Sequence, residues 1–521
     1  MLPPPVACGA PPAFEAWRDG QPEAVCHVVD SPARITALVL PTGSGKSLVA
    51  ATLATLTGWR TCILTSTKGL QDQIHTTFHT TGLKDLRGQR AYPCRMLLTE
   101  GQHFREGIGK GCDVGPCKLG LTCQWRERGC SYFDAVADAT RAPLVVTNYQ
   151  AWMSHHEFRQ GLGPFDCLVC DEAHAAPEEV SNFLACTITH DQLDAAGLDI
   201  PADATITGWV AWARAHRKVV TTWAEHAVRD AAIGGVHTRA QSARALATSV
   251  ERLAVADPED WLVLLHGSYQ FHPLDPGRYV EATLLHGIPR IVLMSATMTP
   301  KTVAALGLDP ALVDFHATPS TFPVERRPVT HITTCRIDHR LDDAGTRVWL
   351  ARVDQILAGR PDRKGIIHTG SYARAKLIYE HSAHRARLLF HDRDTTRQTV
   401  ELFRRSRPGT VLVSPSLTTG FDFAGKACEF QIILKVPWPD SREPVMQART
   451  AKDKAYPAYL AMQDLVQAVG RGMRSAEDQC ETLILDDHCK WFVSSYRHYA
   501  PRWFLDAYRS TLTIPVPPPP L

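Results

Sequence analysis

Residues Pro41–Ser47 read PTGSGKS, after the apolar run ITALVL (Ile35–Leu40) and before KSLVAATLATL (Lys46–Leu56). A glycine-rich turn between a β-type run and a helix lets successive backbone N–H groups converge on one point. The helix adds its positive N-terminal end, which makes a cradle for a polyphosphate. Thr42, Gly43, Ser44 and Gly45 form that turn. Lys46 would reach the β- and γ-phosphates, and the Ser47 hydroxyl would bind Mg²⁺. The strict pattern has Gly where this chain has Leu40.

Working outward, the same alternation repeats. RTCILT (60–65) precedes the helical stretch KGLQDQIHTTF (68–78), and PLVVT (143–147), FDCLVC (165–170) and RIVLMS (290–295) follow. From about residue 330 a second series appears: GIIHT (365–369), TVLVS (410–414), FQIILK (430–435) and ETLILD (481–486), separated by helical stretches such as TTRQTVELFRRS (395–406). Short apolar runs alternating with helices predict parallel sheets covered on both faces, an α/β fold. Two stretches interrupt the first unit. Residues 88–142 are rich in Gly, charge and Cys. Residues 178–285 look mostly helical, with Trp209, Trp212, Trp223 and Val228 near helical spacing, a core pattern. The proline-rich ends, 1–13 and 513–521, read as flexible tails.

A chain of 521 residues is too long for one domain. With 44% hydrophobic and 21% charged residues it is globular, not disordered or collagen-like. No apolar run approaches the roughly 18–20 residues of a membrane span, and the start lacks a basic region followed by an apolar stretch. A cytoplasmic protein without membrane contact is expected. The net charge of +2 does not advertise nucleic-acid binding, but a local basic groove needs no overall excess. Of the 15 cysteines, Cys94, Cys112, Cys117, Cys123 and Cys130 crowd one segment. An odd total in a cytosolic chain argues against a disulfide framework. The 23 histidines form no metal-binding spacing.

Asp171–His174, DEAH, closes the FDCLVC strand. A carboxylate at a strand end beside a phosphate loop can hold the Mg²⁺ shell (Asp171), and its neighbour (Glu172) can polarise an attacking water. Far downstream, QAVGRGMRS (Gln467–Ser475) places Arg471 and Arg474 three apart, on one helix face. Two guanidinium groups so placed suit a γ-phosphate held by the first unit.

Together these residues resemble the superfamily 2 helicases. Ser295–Thr297 (SAT) is similar to the motif coupling hydrolysis to nucleic-acid contact. TTGFDFAG (Thr418–Gly425) resembles the second-domain GxD motif, with Gly420 and Asp422 matching. LTSTKGLQDQ (Leu64–Gln73) resembles a strand-contacting motif, with Thr65, Thr67 and Lys68 as contacts. Arg18 and Gln21 are similar to an R-x-x-Q that touches adenine, and Ser371 sits where the family has a strand-contacting residue. As an alternative, Ser371 reads as a helix N-cap.

The cysteine segment narrows the resemblance to the XPD/DinG-like iron–sulfur helicases. It lies between the strand-contacting motif and DEAH, and it ends in CSYF where the family often has CPYY or CPFF. VVTNY follows, with Tyr149 in place of the usual His, and LDDH (Leu485–His488) stands for LDxR. The resemblance spans about Phe14 to Asp487. It implies two RecA-like motor domains, 14–87 plus 143–177 plus 286–310 and then 311–512. It also implies an iron–sulfur insertion (88–142) and a helical arch-like insertion (178–285) in the first. ATP, Mg²⁺ and a [4Fe–4S] cluster are the implied cofactors. Anchoring on CSYF selects Cys94, Cys117, Cys123 and Cys130 as cluster ligands. The x4 and x5 spacings instead select Cys94, Cys112, Cys117 and Cys123. Zinc prefers tighter Cys pairs than these. The resemblance further implies an ATP-hydrolysing DNA helicase moving 5′→3′ on single-stranded DNA and acting at junctions, as a monomer. Alternatives are a translocase clearing RNA–DNA hybrids or bound proteins, and a non-unwinding redox-sensing DNA-binding protein.

Overall fold

The structure is a computed structural model describing residues 2–98, 104–106, 110–158, 161–234, 237–338, 340–415, 423, 425–473 and 478–519. Two seven-stranded, wholly parallel sheets dominate it. In the first the order is β10-β1-β9-β5-β2-β4-β3, from β1 (Ile35–Val39), β2 (Thr61–Thr65), β3 (Lys84–Asp85), β4 (Leu144–Asn148), β5 (Cys167–Asp171), β9 (Arg290–Ser295) and β10 (Val313–Ala317). Alternate residues of each central strand enter opposite cores. Leu168, Cys170, Ile291 and Leu293 face one side, and Cys167, Val169, Val292 and Met294 the other. That explains continuous apolar runs instead of alternation. Cys62, Cys167 and Cys170 act as small core residues, all fully buried.

β1 lies between β9 and β10, and Ile35 pairs with Val313. The first sheet therefore continues to Ala317, past the boundary at residue 310 expected from the sequence. The edge strand VDFHA carries a polar residue at every second position and does not stand out as a buried run. Helices flank this sheet: α1 (Gln21–Asp30), α2 (Lys46–Thr57), α3 (Lys68–Phe78), α4 (Ser131–Arg141), α5 (Tyr149–Phe158) and α6 (Ala176–Leu184).

The region after α6 is not only helical. α7 (His190–Ala196), α8 (Ile206–Gly234) and α9 (His237–Ala254) stand on a small antiparallel sheet, β6-β8-β7, from β6 (Cys186–Ile188), β7 (Trp261–Leu265) and β8 (Tyr269–Pro273). Trp209 is fully buried against Tyr269 and Phe271, with ring centroids 4.7 and 5.3 Å away. This aromatic core fixes α8 to the sheet.

After α10 (Pro300–Ala305), the second large sheet runs β13-β14-β12-β15-β16-β11-β17, with β11 (Val329–Cys335), β12 (Gly365–His368), β13 (Leu388–Phe390), β14 (Val411–Ser414), β15 (Phe430–Ile433), β16 (Glu481–Asp486) and β17 (Tyr508–Thr511). Its helices include α11 (Asp343–Ala358), α12 (Tyr372–His381), α13 (Thr396–Arg405), α14 (Pro444–Lys452) and α15 (Tyr456–Val469). These are two RecA-like α/β domains.

Both proline-rich ends are docked. Cys8 is buried, and the Trp17 indole donates to the Pro3 carbonyl at 2.7 Å. At the other end, Arg360 forms a buried two-pronged pair with Glu481 at 2.6 and 2.7 Å and also donates to the Pro515 carbonyl. Composition predicts flexible tails. Side-chain donors that hold the proline carbonyls are the reason these segments lie against the body. Among the described residues, no helix is long and apolar enough to cross a membrane.

Candidate active site

Neighbouring strands β1, β9 and β5 deliver three motifs to one edge of the first sheet. Val39 pairs with Ser295, and Asp171 with Met294. At strand spacings of about 4.8 Å, the phosphate loop, SAT and DEAH become neighbours. Ligands collect beyond the carboxyl ends of parallel strands.

Gly43 and Gly45 both take φ 79°, a conformation that glycine adopts without strain. Gln21 donates to the Ser44 carbonyl at 2.7 Å, and Arg18 donates to the Gly43 carbonyl at 2.7 Å. Arg18 and Gln21 thus brace the loop from behind. The Ser44 hydroxyl oxygen is buried with no partner among the described residues, as a group that binds a ligand would be.

Lys46 Nζ lies 3.0 Å from Glu172 Oε1. Glu172 has φ 50° although it is not glycine. Such strain persists only where surroundings hold it, and it clusters at functional sites. Burial works against its charge, but Lys46 and His174 hold the Glu172 carboxyl well below its usual range. Asp171 is buried, and burial together with the neighbouring Glu172 charge pushes it up to about 6. A divalent cation there would relieve both effects. Tyr149, standing where the resemblance has His, is fully buried and donates to the Asp171 carbonyl at 3.0 Å.

A polar chain then crosses to the second domain. His174 Nδ1 lies 3.3 Å from Glu172 Oε2 and 2.9 Å from Ser295 Oγ. Ser295 Oγ is 3.1 Å from Thr297 Oγ1, which accepts from Gln467 Nε2 at 3.5 Å. Gly470, next to Arg471, packs so tightly on the phosphate loop that a Cβ there would lie 2.6 Å from Thr42 Oγ1. The turn bearing Arg471 is therefore against the glycine loop. Gly420, Asp422 and Arg474 lie outside the described residues. Two further ties had no sequence signal, because single polar contacts carry no motif: Tyr459 donates to Thr302 Oγ1 at 2.9 Å, and Trp503 to the Ala296 carbonyl at 3.2 Å.

Residues 356–507 match the family of helicase C-terminal domains, and residues 15–194 match the type III restriction enzyme res subunit family. The fold is similar to a solved XPD helicase at a TM-score of 0.62 and 13% identity, covering 95% of this chain and 100% of that one. It is similar to Xpd4 of S. tokodaii at 0.61 and 14%, with the same coverage. No curated protein matches the sequence. The fold is that of the XPD helicases, and the second domain carries a match to helicase C-terminal domains. The chain is an ATP-dependent helicase enzyme.

In this helicase the strand-contact candidates divide. Thr65 is fully buried, and its hydroxyl donates to the Thr67 and Thr147 carbonyls, so it supports the loop from inside and faces no strand. Thr67 caps α3 by accepting from the Leu70 amide. Lys68 is exposed and paired with Glu106. Ser371 caps α12 through the Arg374 amide at 3.2 Å.

The cysteines also divide. Cys94, Cys112 and Cys130 are buried in one cluster with Tyr132. The Cys94 and Cys112 thiols share a hydrogen bond, which pulls Cys94 down to about 6 and pushes Cys112 up. Cys117 Sγ lies 3.9 Å from the Cys112 carbonyl, and Cys117 and Cys123 are half-buried. A Cβ at Gly115 would fall 2.8 Å from Cys94 Sγ, so glycine is what leaves room beside that sulfur. Among the described residues, no three side chains are gathered tightly enough to hold a metal ion. The donors fit a thiolate-ligated group in number and chemistry. Cys112, left out of the ligand set anchored on CSYF, sits inside the buried thiol cluster.

A groove of about 800 Å³ opens between the cysteine segment, α5 and α9. Lys118, Arg126, Arg128, Arg244, Phe133 and Phe158 line it. Arg244 closes one side by donating to the Leu119 carbonyl at 2.6 Å.

Proposed function

We propose that this helicase moves 5′→3′ along single-stranded DNA and parts duplexes at junctions, acting as a monomer and driven by Mg-ATP hydrolysis between its two motor domains. The observation that carries the reading is the packing of Gly470 on Thr42, which sets the Arg471 turn of one domain against the phosphate loop of the other.

In this scheme the loop amides and Lys46 bind the phosphates, and Ser47 and Asp171 would hold Mg²⁺, which would supply charge neutralisation when bound. Glu172, kept ionised by Lys46 until phosphate draws the ammonium away, orients the attacking water. Arg471 and Arg474 approach the γ-phosphate, a contribution of about 10³–10⁵ in rate for such arginines. Gln467, Thr297, Ser295 and His174 link the water-activating carboxylate to the second domain, so hydrolysis and domain movement are joined. The resemblance gives Gly420 and Asp422 a part in nucleotide binding. The polarity is the one that the resemblance implies.

The cationic and aromatic groove suits a single strand, since basic side chains track phosphates while rings stack bases. Lys68, Thr67 and Ser371 border the strand path on the two motors. Cys94, Cys117 and Cys123, with either Cys130 or Cys112, would hold a [4Fe–4S] cluster, whose bonds would fix an otherwise irregular segment. The insertions then comprise roughly 88–142 and 178–285.

Unwinding of 5′- and 3′-tailed duplexes, with and without ATP, tests this. ATP-dependent separation of the 5′-tailed substrate is expected. Separation of only the 3′-tailed one reverses the polarity, and separation of neither removes the unwinding activity. An RNA–DNA hybrid unwound in preference to DNA would favour hybrid clearance.

A further inference from the structure

Arg449 on α14 is 7% exposed, yet it belongs to no motif. Its Nη1 donates to Glu178 Oε2 at 2.8 Å and to the Tyr456 hydroxyl at 3.3 Å. Its Nη2 donates to Ser181 Oγ at 2.6 Å and to the Pro273 carbonyl at 3.2 Å. One turn on, Lys452 Nζ lies 2.6 Å from the buried Asp260 carboxylate, which also pairs with Arg278. Asp453, just past α14, pairs with Lys301 on α10.

These partners have a common meaning. Glu178 and Ser181 are on α6, the helix that begins two residues after DEAH ends. Pro273 ends β8, and Asp260 adjoins β7. The small sheet they belong to is the base from which α8 and α9 rise. On the other side, α14 leads within four residues into α15, which carries Gln467 and ends at the Arg471 turn. One helix of the second domain thus grips both the DEAH helix and the foot of the helical insertion.

We propose that α14 is a strut, with Arg449 and Lys452 as positioning residues that carry nucleotide-driven movement of the second domain to the helical insertion. When nucleotide enters between Thr42 and Gly470, the tightly packed Arg471 turn must shift, and α15 shifts with it. α14 cannot slide freely over the small sheet. Doing so would strand a buried guanidinium away from its acceptors and leave Asp260 short of a partner, which buried charges resist. The sheet and its helices therefore follow. α9, through Arg244 and Gln241, already touches the cysteine segment at the Leu119 and Val114 carbonyls. Movement of the insertion consequently changes the width of the groove. The inference rests on the helicase reading, because only a strand in that groove gives the movement a use.

Hydrogen–deuterium exchange of the full chain, with and without ADP–beryllium fluoride, tests the strut directly. In the wild type, nucleotide should alter exchange in the phosphate loop and also in β6–β8 and α8–α9. Arg449→Ala and the milder Lys452→Ala should keep the phosphate-loop response and lose about half or more of the response in the insertion. DNA-stimulated ATP turnover should stay within about two-fold while strand separation falls about five-fold or more, a split that general loosening of the fold would not give. A full insertion response in both variants, or none in the wild type, overturns the strut. Wild-type protein that hydrolyses ATP but separates no strands counts against the helicase reading, and the exchange result still decides the strut.

Discussion

The nucleotide cleft and the cysteine segment are both built from short motifs, but on different supports. Lys46 starts a helix and Asp171 and Glu172 stand at the end of a buried parallel strand, and the Lys46–Glu172 pair and the Tyr149–Asp171 bond are already made. Among its described residues the cysteine segment has two single helical turns between Leu86 and Cys130, at Gln89–Ala91 and Pro116–Leu119, and its thiols are gathered incompletely. A motif on a regular framework is positioned by the framework. A motif on irregular backbone needs its ligand to finish the geometry, as metal-dependent segments do.

The sharpest way to break this contrast is Lys46→Ala. If the cleft is preformed, the variant keeps its fold and binds single-stranded DNA within about two- to three-fold. ATP turnover falls at least roughly 10²–10³-fold, because a preorganised charge aimed at the phosphates is gone. Turnover is read by phosphate release, and fold by circular dichroism. A near-normal rate would remove the catalytic assignment.

The cysteine segment predicts the opposite behaviour. Protein purified without oxygen should be brown and carry about four irons per chain. Removing the iron should expose residues 88–142 to protease while the cleft still binds nucleotide. Cys94→Ser should lose the iron in every case. Loss of iron in Cys112→Ser but not Cys130→Ser selects the set with x4 and x5 spacing, and the reverse selects the set anchored on CSYF. Stoichiometric zinc without iron would refute the cluster.

The same contrast explains what could be read from sequence. Continuous apolar runs such as FDCLVC and RIVLMS betray central parallel strands, because such strands are buried on both faces. Polar edge strands such as VDFHA and YRST do not, so the sequence pattern ends the first sheet before β10. The motifs locate Lys46, Asp171, Glu172 and Gln467 because their chemistry demands fixed spacings. Thr65 shows the limit, since a motif residue can serve the loop from within. Arg449 shows the converse. Its partners Glu178, Ser181 and Pro273 are 176 to 271 residues away in sequence, and nothing in a linear pattern brings them together. The docked tails were illegible for a related reason. Proline-rich composition describes the free chain, whereas docking depends on distant Arg360 and Glu481.

The smallest effect tests whether the regular framework also carries a cost. His368 ends β12, 5% exposed, with Nε2 3.3 Å from Gln431 Oε1 and, among the described residues, no partner at Nδ1. Burial, reinforced by the charge of Arg471, pushes it down to about 4. An unfolded histidine titrates near 6.5, so between about pH 6.5 and 4 the unfolded chain takes up a proton that the folded one refuses. This contribution to stability is intact above pH 6.5 and is lost as the pH falls toward 4, by roughly 3 kcal/mol in all. His368→Gln should keep the bond to Gln431 and flatten that part of the acid loss. Urea unfolding midpoints at pH 7.5 and 5 compare the two proteins. Equal acid sensitivity in both would mean that His368 is protonated in the folded state, and that the end of β12 is open to water instead of sealed beneath the Arg471 turn.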